Sequence, residues 1–192
     1  MALFSNGSFV ADPWRRLGEN EELPDRGKFI LTVAQWRALA PAEAKDAADR
    51  AASNRDLGDK PEGDVSHRAL GLLLEPGTEV ADLASDYPHL ALVAIDFPKF
   101  VDGRGYSMGR MIRERYGFTG ELRATGDVLF DQLQLLARCG FNSFEIVDAP
   151  TLRLLEEGRR PGVTHFYQPG FGREVRVGPR SRVQPADASQ EA

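Results

Sequence analysis

Lys99, Asp102, Arg104, Arg123 and Asp127 are the residues of this chain whose types and spacing could do chemistry. They fall in two segments, Asp96-Phe-Pro-Lys-Phe-Val-Asp-Gly-Arg-Gly-Tyr-Ser107 and Glu121-Leu-Arg-Ala-Thr-Gly-Asp127. Each segment leaves an apolar strand, passes through glycine with charged neighbours and enters an amphipathic helix. Open α/β folds gather their ligands at that end of the sheet. The spacing therefore predicts a pocket in which guanidinium groups from neighbouring crossovers meet.

The chemistry expected there is oxyanion binding. Gly103 and Gly105 let backbone N–H groups approach a ligand, and the helix start that follows favours an anion. Arg104 and Arg123 each offer a forked donor pair, Lys99 adds a positive charge, and Ser107 is a further contact or an N-cap. The bland alternative is a strand-to-helix loop in which Asp102 pairs with Arg104 or caps the helix. Gly103-x-Gly105-x-x-x-Gly109 also resembles a dinucleotide loop, with Asp127 at the distance of a ribose contact, but its spacing departs from the usual fingerprint.

Asp102, Asp127, Asp131, Gln132 and Arg138 are expected as a supporting polar network. Asp127 and Asp131 are four apart on a helix, so both carboxylates share a face. No histidine lies near them in sequence, and capping together with pairing to Arg123 or Arg104 is the simpler role. Cys139 ends a helix, where the dipole disfavours a thiolate, so packing is its expected role. His67, His89 and His165 lack metal-ligand spacing, and no metal or cofactor is assigned.

The elements that must position these residues alternate between short apolar strands and helices. Residues 2–4 and 9–10 form a hairpin around Ser5-Asn-Gly-Ser8, closed by Asp12-Pro-Trp14. Strands are expected over 27–33, 69–74, 90–95, 122–125, 143–147 and 163–167. Helices are expected over 34–40, 41–54, 79–87, 106–116, 128–138 (capped by Asp127, stopped by Gly140) and 151–157. This rhythm predicts an open, mostly parallel sheet of about five or six strands with helices on both faces; a partial barrel-like arrangement is the alternative. Residues 1–26 read as hairpin and loop, 27–170 as one α/β domain and 171–192 as a flexible tail.

Composition narrows the function classes. The net charge of −5 disfavours nonspecific nucleic-acid binding, although arginine outnumbers lysine twenty to four. No apolar run is long enough to span a membrane, and the N-terminus lacks the pattern of a secretory signal. A single cysteine fits a reducing cytoplasm.

Phe97-Pro-Lys-Phe100, Asp102 to Ser107, Leu122-Arg-Ala124, Gly126-Asp-Val128, Asp131-Gln132 and Arg138-Cys-Gly-Phe141 together resemble the bacterial domain-of-unknown-function family 934. Asp12-Pro-Trp14 and Tyr167-Gln-Pro169 are similar to its flanking motifs. Thr125 stands where the family has a small aliphatic residue, and Phe130 where a charged one is common. Members are encoded beside assimilatory sulfite reductase and phosphoadenylylsulfate reductase and carry the label of an oxidoreductase of sulfite reduction. The resemblance thus implies a role in sulfur assimilation and supplies no catalytic residue.

Three functions follow as expectations. The first is an enzyme or ligand-binding domain holding sulfite, sulfate or the phosphate of a nucleotide. The second is an accessory protein that docks on sulfite reductase. The third, a nicotinamide-dependent oxidoreductase, rests on the glycine spacing and the distance to Asp127. Homo-oligomerisation is left open.

Overall fold

A computed structural model describes residues 2–39, 68–99 and 101–162. The helix expected over 41–54, the strand over 163–167 and the tail lie outside the described residues. Eight strands form one sheet: β1 (Ala2–Ser5), β2 (Ser8–Val10), β3 (Trp14–Arg16), β4 (Gly27–Thr32), β5 (Arg68–Leu74), β6 (Leu92–Phe97), β7 (Glu121–Gly126) and β8 (Ser143–Ile146). Four α-helices stand among the described residues: α1 (Val33–Ala38), α2 (Arg104–Glu114), α3 (Leu133–Arg138) and α4 (Ala149–Glu156).

The strand order is β2-β1-β8-β7-β6-β5-β4-β3. From β3 to β8 neighbours are parallel and consecutive, while the β1–β2 hairpin adds to β8 antiparallel. Consecutive order with right-handed crossovers puts every connection on the same side. The core bears this out. Leu31, Leu72, Ile95, Leu122 and Ile146 pack in one cluster with Trp36, Met108, Ile112, Leu136 and Leu155 of the helices. The other face carries a small cluster of Ile30, Leu92 and Ala94 flanked by Trp14 and Leu73, all from strands.

The sheet is therefore larger than the five or six strands expected, only partly parallel, and covered by helices on one face rather than both. It is also curled, a half-barrel. Two observations require the curl. Edge strands β2 and β3 are joined by only Ala11, Asp12 and Pro13, a step of at most about 14 Å. The edges of a flat eight-stranded sheet would stand about 34 Å apart. In addition, Arg16 of β3 reaches Glu145 of β8 at 3.3 Å, five strands away. The barrel-like alternative is the one that fits.

Two local departures bear on the site. The segment expected as a helix over 79–87 makes two 3-10 turns, Val80–Leu83 and Tyr87–His89. The helix expected to start behind Asp127 begins later, after a 3-10 turn at Phe130–Gln132, and the Gln132 side chain accepts the Leu129 N–H at 3.0 Å. Asp127 is therefore not its cap. Gly140 does stop the helix, at φ +98°.

Candidate functional site

The two expected segments are placed on different parts of the curl. Lys99 and Asp102 sit in the loop beyond the C-terminal end of β6, and Arg104 opens α2. Arg123 lies within β7, opposite Ala94 and three residues below Phe97 at the end of β6, about 10 Å down the strand. Register puts Arg123 on the concave face with Glu121, Thr125, Asp96 and Ser143.

At the loop, Arg104 and Asp102 form a forked pair. Asp102 accepts from Arg104 Nε at 3.0 Å, from its terminal nitrogen at 2.7 Å and from its backbone N–H at 3.1 Å. The guanidinium beside it, then the backbone N–H, hold the Asp102 carboxyl down at about 2. The Arg104 side chain is 62% exposed, and Lys99, Gly103 and Ser107 are exposed too. The first turn of α2 holds no acidic residue. Exposed cations at an eleven-residue helix start can hold an anion.

Gly105 and Gly109 serve packing instead. A Cβ at Gly105 would stand 2.5 Å from the Phe97 ring, and one at Gly109 2.4 Å from the Phe141 ring. Helix α2 thus seats on those two rings, which lie edge-on 5.9 Å apart. The glycine spacing that resembles a dinucleotide loop follows from this contact, whereas a Cβ at Gly103 would meet nothing within 4 Å.

Arg123 is sealed. It is fully buried and donates to both oxygens of Asp12 at 2.7 and 3.0 Å, and twice to Glu121 Oε1 at 2.9 and 2.8 Å. Burial works against its charge, but the bonds to Asp12 and the pull of Glu121 outweigh it and raise its pKa. Among the described residues it shares no hydrogen-bond partner with Arg104, and carboxylates take four of its five N–H donors. The structure does not bring the two guanidinium groups into one set of contacts.

Of the expected supporting network, Asp102 pairs with Arg104, whereas the described contacts of Asp127, Asp131 and Gln132 lie elsewhere. Asp127 donates its backbone N–H to Phe97 O at 2.7 Å, fixing the β6 and β7 ends together. Asp131 acts on Tyr106, whose hydroxyl is pushed up by burial first and by that carboxylate second. Gln132 caps its own turn, and Arg138 lies in the last turn of α3. Burial raises the Cys139 thiol, in keeping with a packing role. Among the described residues no group of three or more His, Cys, Asp or Glu side chains could hold a metal, and no helix is long and apolar enough to cross a membrane.

Sequence reasoning missed Asp12 as a carboxylate partner of Arg123. Glu121 was legible two residues away on the same face of a strand, but Asp12 comes from 111 residues away. It also missed Ser143, whose buried Oγ has no hydrogen-bond partner among the described residues although it lies in register with Arg123.

No curated protein matches the chain. A family model described as a bacterial protein of unknown function (DUF934) matches residues 71–177, more than half the chain, and covers β6, α2, β7 and β8. This chain therefore belongs to the DUF934 family of bacterial proteins of unknown function.

Proposed function

We propose that this protein acts in bacterial sulfur assimilation, at sulfite reduction, and binds an oxyanion at the α2 helix start beyond the C-terminal end of β6. The observation that carries the binding reading is the state of Arg104. Among the described residues its fork is held by the partly exposed Asp102 carboxylate alone, near exposed Lys99 and Ser107 in sequence and at a first turn without acid. Exposed ion pairs contribute about 0–1 kcal/mol, so a sulfite, sulfate or phosphate oxygen can replace Asp102 at small cost. Arg123 has no such freedom and serves the scaffold. The sulfur setting is supported by the genomic neighbourhood that the family resemblance implies.

Thermal-shift measurements with sulfite, sulfate and adenylyl sulfate test the proposal. An anion that binds should stabilise the protein by about 2.7 kcal/mol at 100 times its Kd, and Arg104→Ala should lose that gain. No stabilisation by any of the three sinks it.

A second reading, an accessory protein that docks on sulfite reductase, is favoured by Val101. This side chain is 72% exposed on the same loop as Lys99 and Asp102, an apolar tip among charges that suits a protein partner. Co-purification with sulfite reductase, lost in Val101→Asp and retained in Arg104→Ala, would select this reading.

A further inference from the structure

A cavity of about 620 Å³ lies at the opposite end of the sheet, under the N-terminal ends of β6, β7 and β8. Glu121, Asn142, Thr119, Ser5, Tyr116 and Tyr87 are among its lining residues. Glu121 is its charged floor. Its Oε1 takes both bonds from Arg123, and its Oε2 takes none from any described residue, while the side chain stays 27% exposed.

The charge balance around Arg123 explains why that oxygen matters. One guanidinium faces two carboxylates, Asp12 and Glu121, which leaves one negative charge over. Both oxygens of Asp12 are engaged, one by Arg123 and the other by Arg123 and the Trp14 N–H at 3.0 Å. The neighbouring Glu145 has its own partner in Arg16. Glu121, which lines the cavity, therefore carries carboxylate charge that Arg123 does not balance, with Oε2 taken by no described residue.

The walls add aromatic surface. The Tyr87 and Tyr116 rings lie 5.3 Å apart, and Phe118 lies 6.3 Å from Tyr87. Arg115 rests 5.9 Å from the Tyr116 ring centre, a cation–π contact made within the protein. Asn142 accepts the Leu122 N–H at 2.8 Å through Oδ1, which fixes its amide in the cavity wall. The next residue, fully buried Ser143, has an Oγ unsatisfied among the described residues.

We propose that this cavity binds a small organic cation, an amine or guanidine compound, whose charged N–H groups pair with Glu121 Oε2. The site is distinct from the oxyanion site at the other strand ends and does not rest on it.

The test is calorimetric titration of the full 192-residue protein with putrescine and agmatine, with neutral 1,4-butanediol and potassium chloride as controls. The expected result is saturable binding of one or both amines and none of either control. Glu121→Gln, which keeps an oxygen for Arg123, should weaken binding at least about tenfold, the worth of one charge-assisted hydrogen bond. Thr119→Arg places a cation at the exposed rim without touching the buried network and should abolish binding; if Glu121→Gln does not fold, this variant decides. No amine binding up to about 10 mM, equal binding of potassium, or binding unchanged in a folded variant would overturn the proposal.

Discussion

Arg123 of β7 and Asp12 of the β2–β3 connector are joined by two parallel hydrogen bonds of 2.7 and 3.0 Å across 111 residues of sequence. The connector links the two edges of the curled sheet, so this fork ties the curl shut from inside. Glu121 holds the other side of the same guanidinium at 2.8 Å. Arg123 is thus a fastener of the scaffold, while the Arg104 side chain stays 62% exposed.

Asp12→Ala should destabilise strongly, because it strands a fully buried cation with a single carboxylate. Breaking a buried pair costs about 3–5 kcal/mol. Asp12 is 29% exposed, which puts the expected loss at the lower end, about 3 kcal/mol. Arg123→Lys should also lose stability, since a lysine cannot reproduce the fork. Urea unfolding measures both, and a loss below about 0.5 kcal/mol would remove the fastening role.

The glycines of the central motif should divide by position. Gly105→Ala and Gly109→Ala drive a methyl against the Phe97 and Phe141 rings, overpacking that costs about 1–3 kcal/mol each. Gly103→Ala meets open space at φ −78° and should stay within about 0.5 kcal/mol of the parent. Thermal unfolding of the three variants separates packing glycines from a permissive one.

Asp102 should titrate far below an ordinary aspartate. Its carboxyl sits at about 2 against an ordinary 3.8, held down by the Arg104 side chain and backbone N–H. A depressed folded value means that the pair's contribution is full above pH 3.8 and fades as pH falls through about 2. The pair is exposed, so the side-chain carboxyl carbon's NMR shift is the readout. Arg104→Ala should move the midpoint back towards 3.8.

Local features of the fold were legible, and closure was not. The apolar runs of β4 to β8 and the Ser5-Asn-Gly-Ser8 turn gave the right strands, with Asn6 at φ +51° and Gly7 at +83° in the turn. Trp14–Arg16 was hidden as a strand because three polar-flanked residues carry no periodicity. Yet this strand, together with a three-residue connector, forces the curl. The candidate site divides in the same way. The Asp102–Arg104 contact spans two residues and could be read from sequence, whereas Arg123 turned inward because strand alternation set it beside Glu121 and opposite a distant Asp12. Local spacing cannot tell an arginine at a strand end from one three residues down its concave face.

The most direct test of the division between the two arginines is calorimetric titration of sulfite into the parent protein and into Arg104→Ala. The account predicts saturable binding by the parent, its loss in Arg104→Ala, and an unchanged unfolding midpoint for that variant without sulfite. Sulfite binding of parental affinity in Arg104→Ala would contradict it.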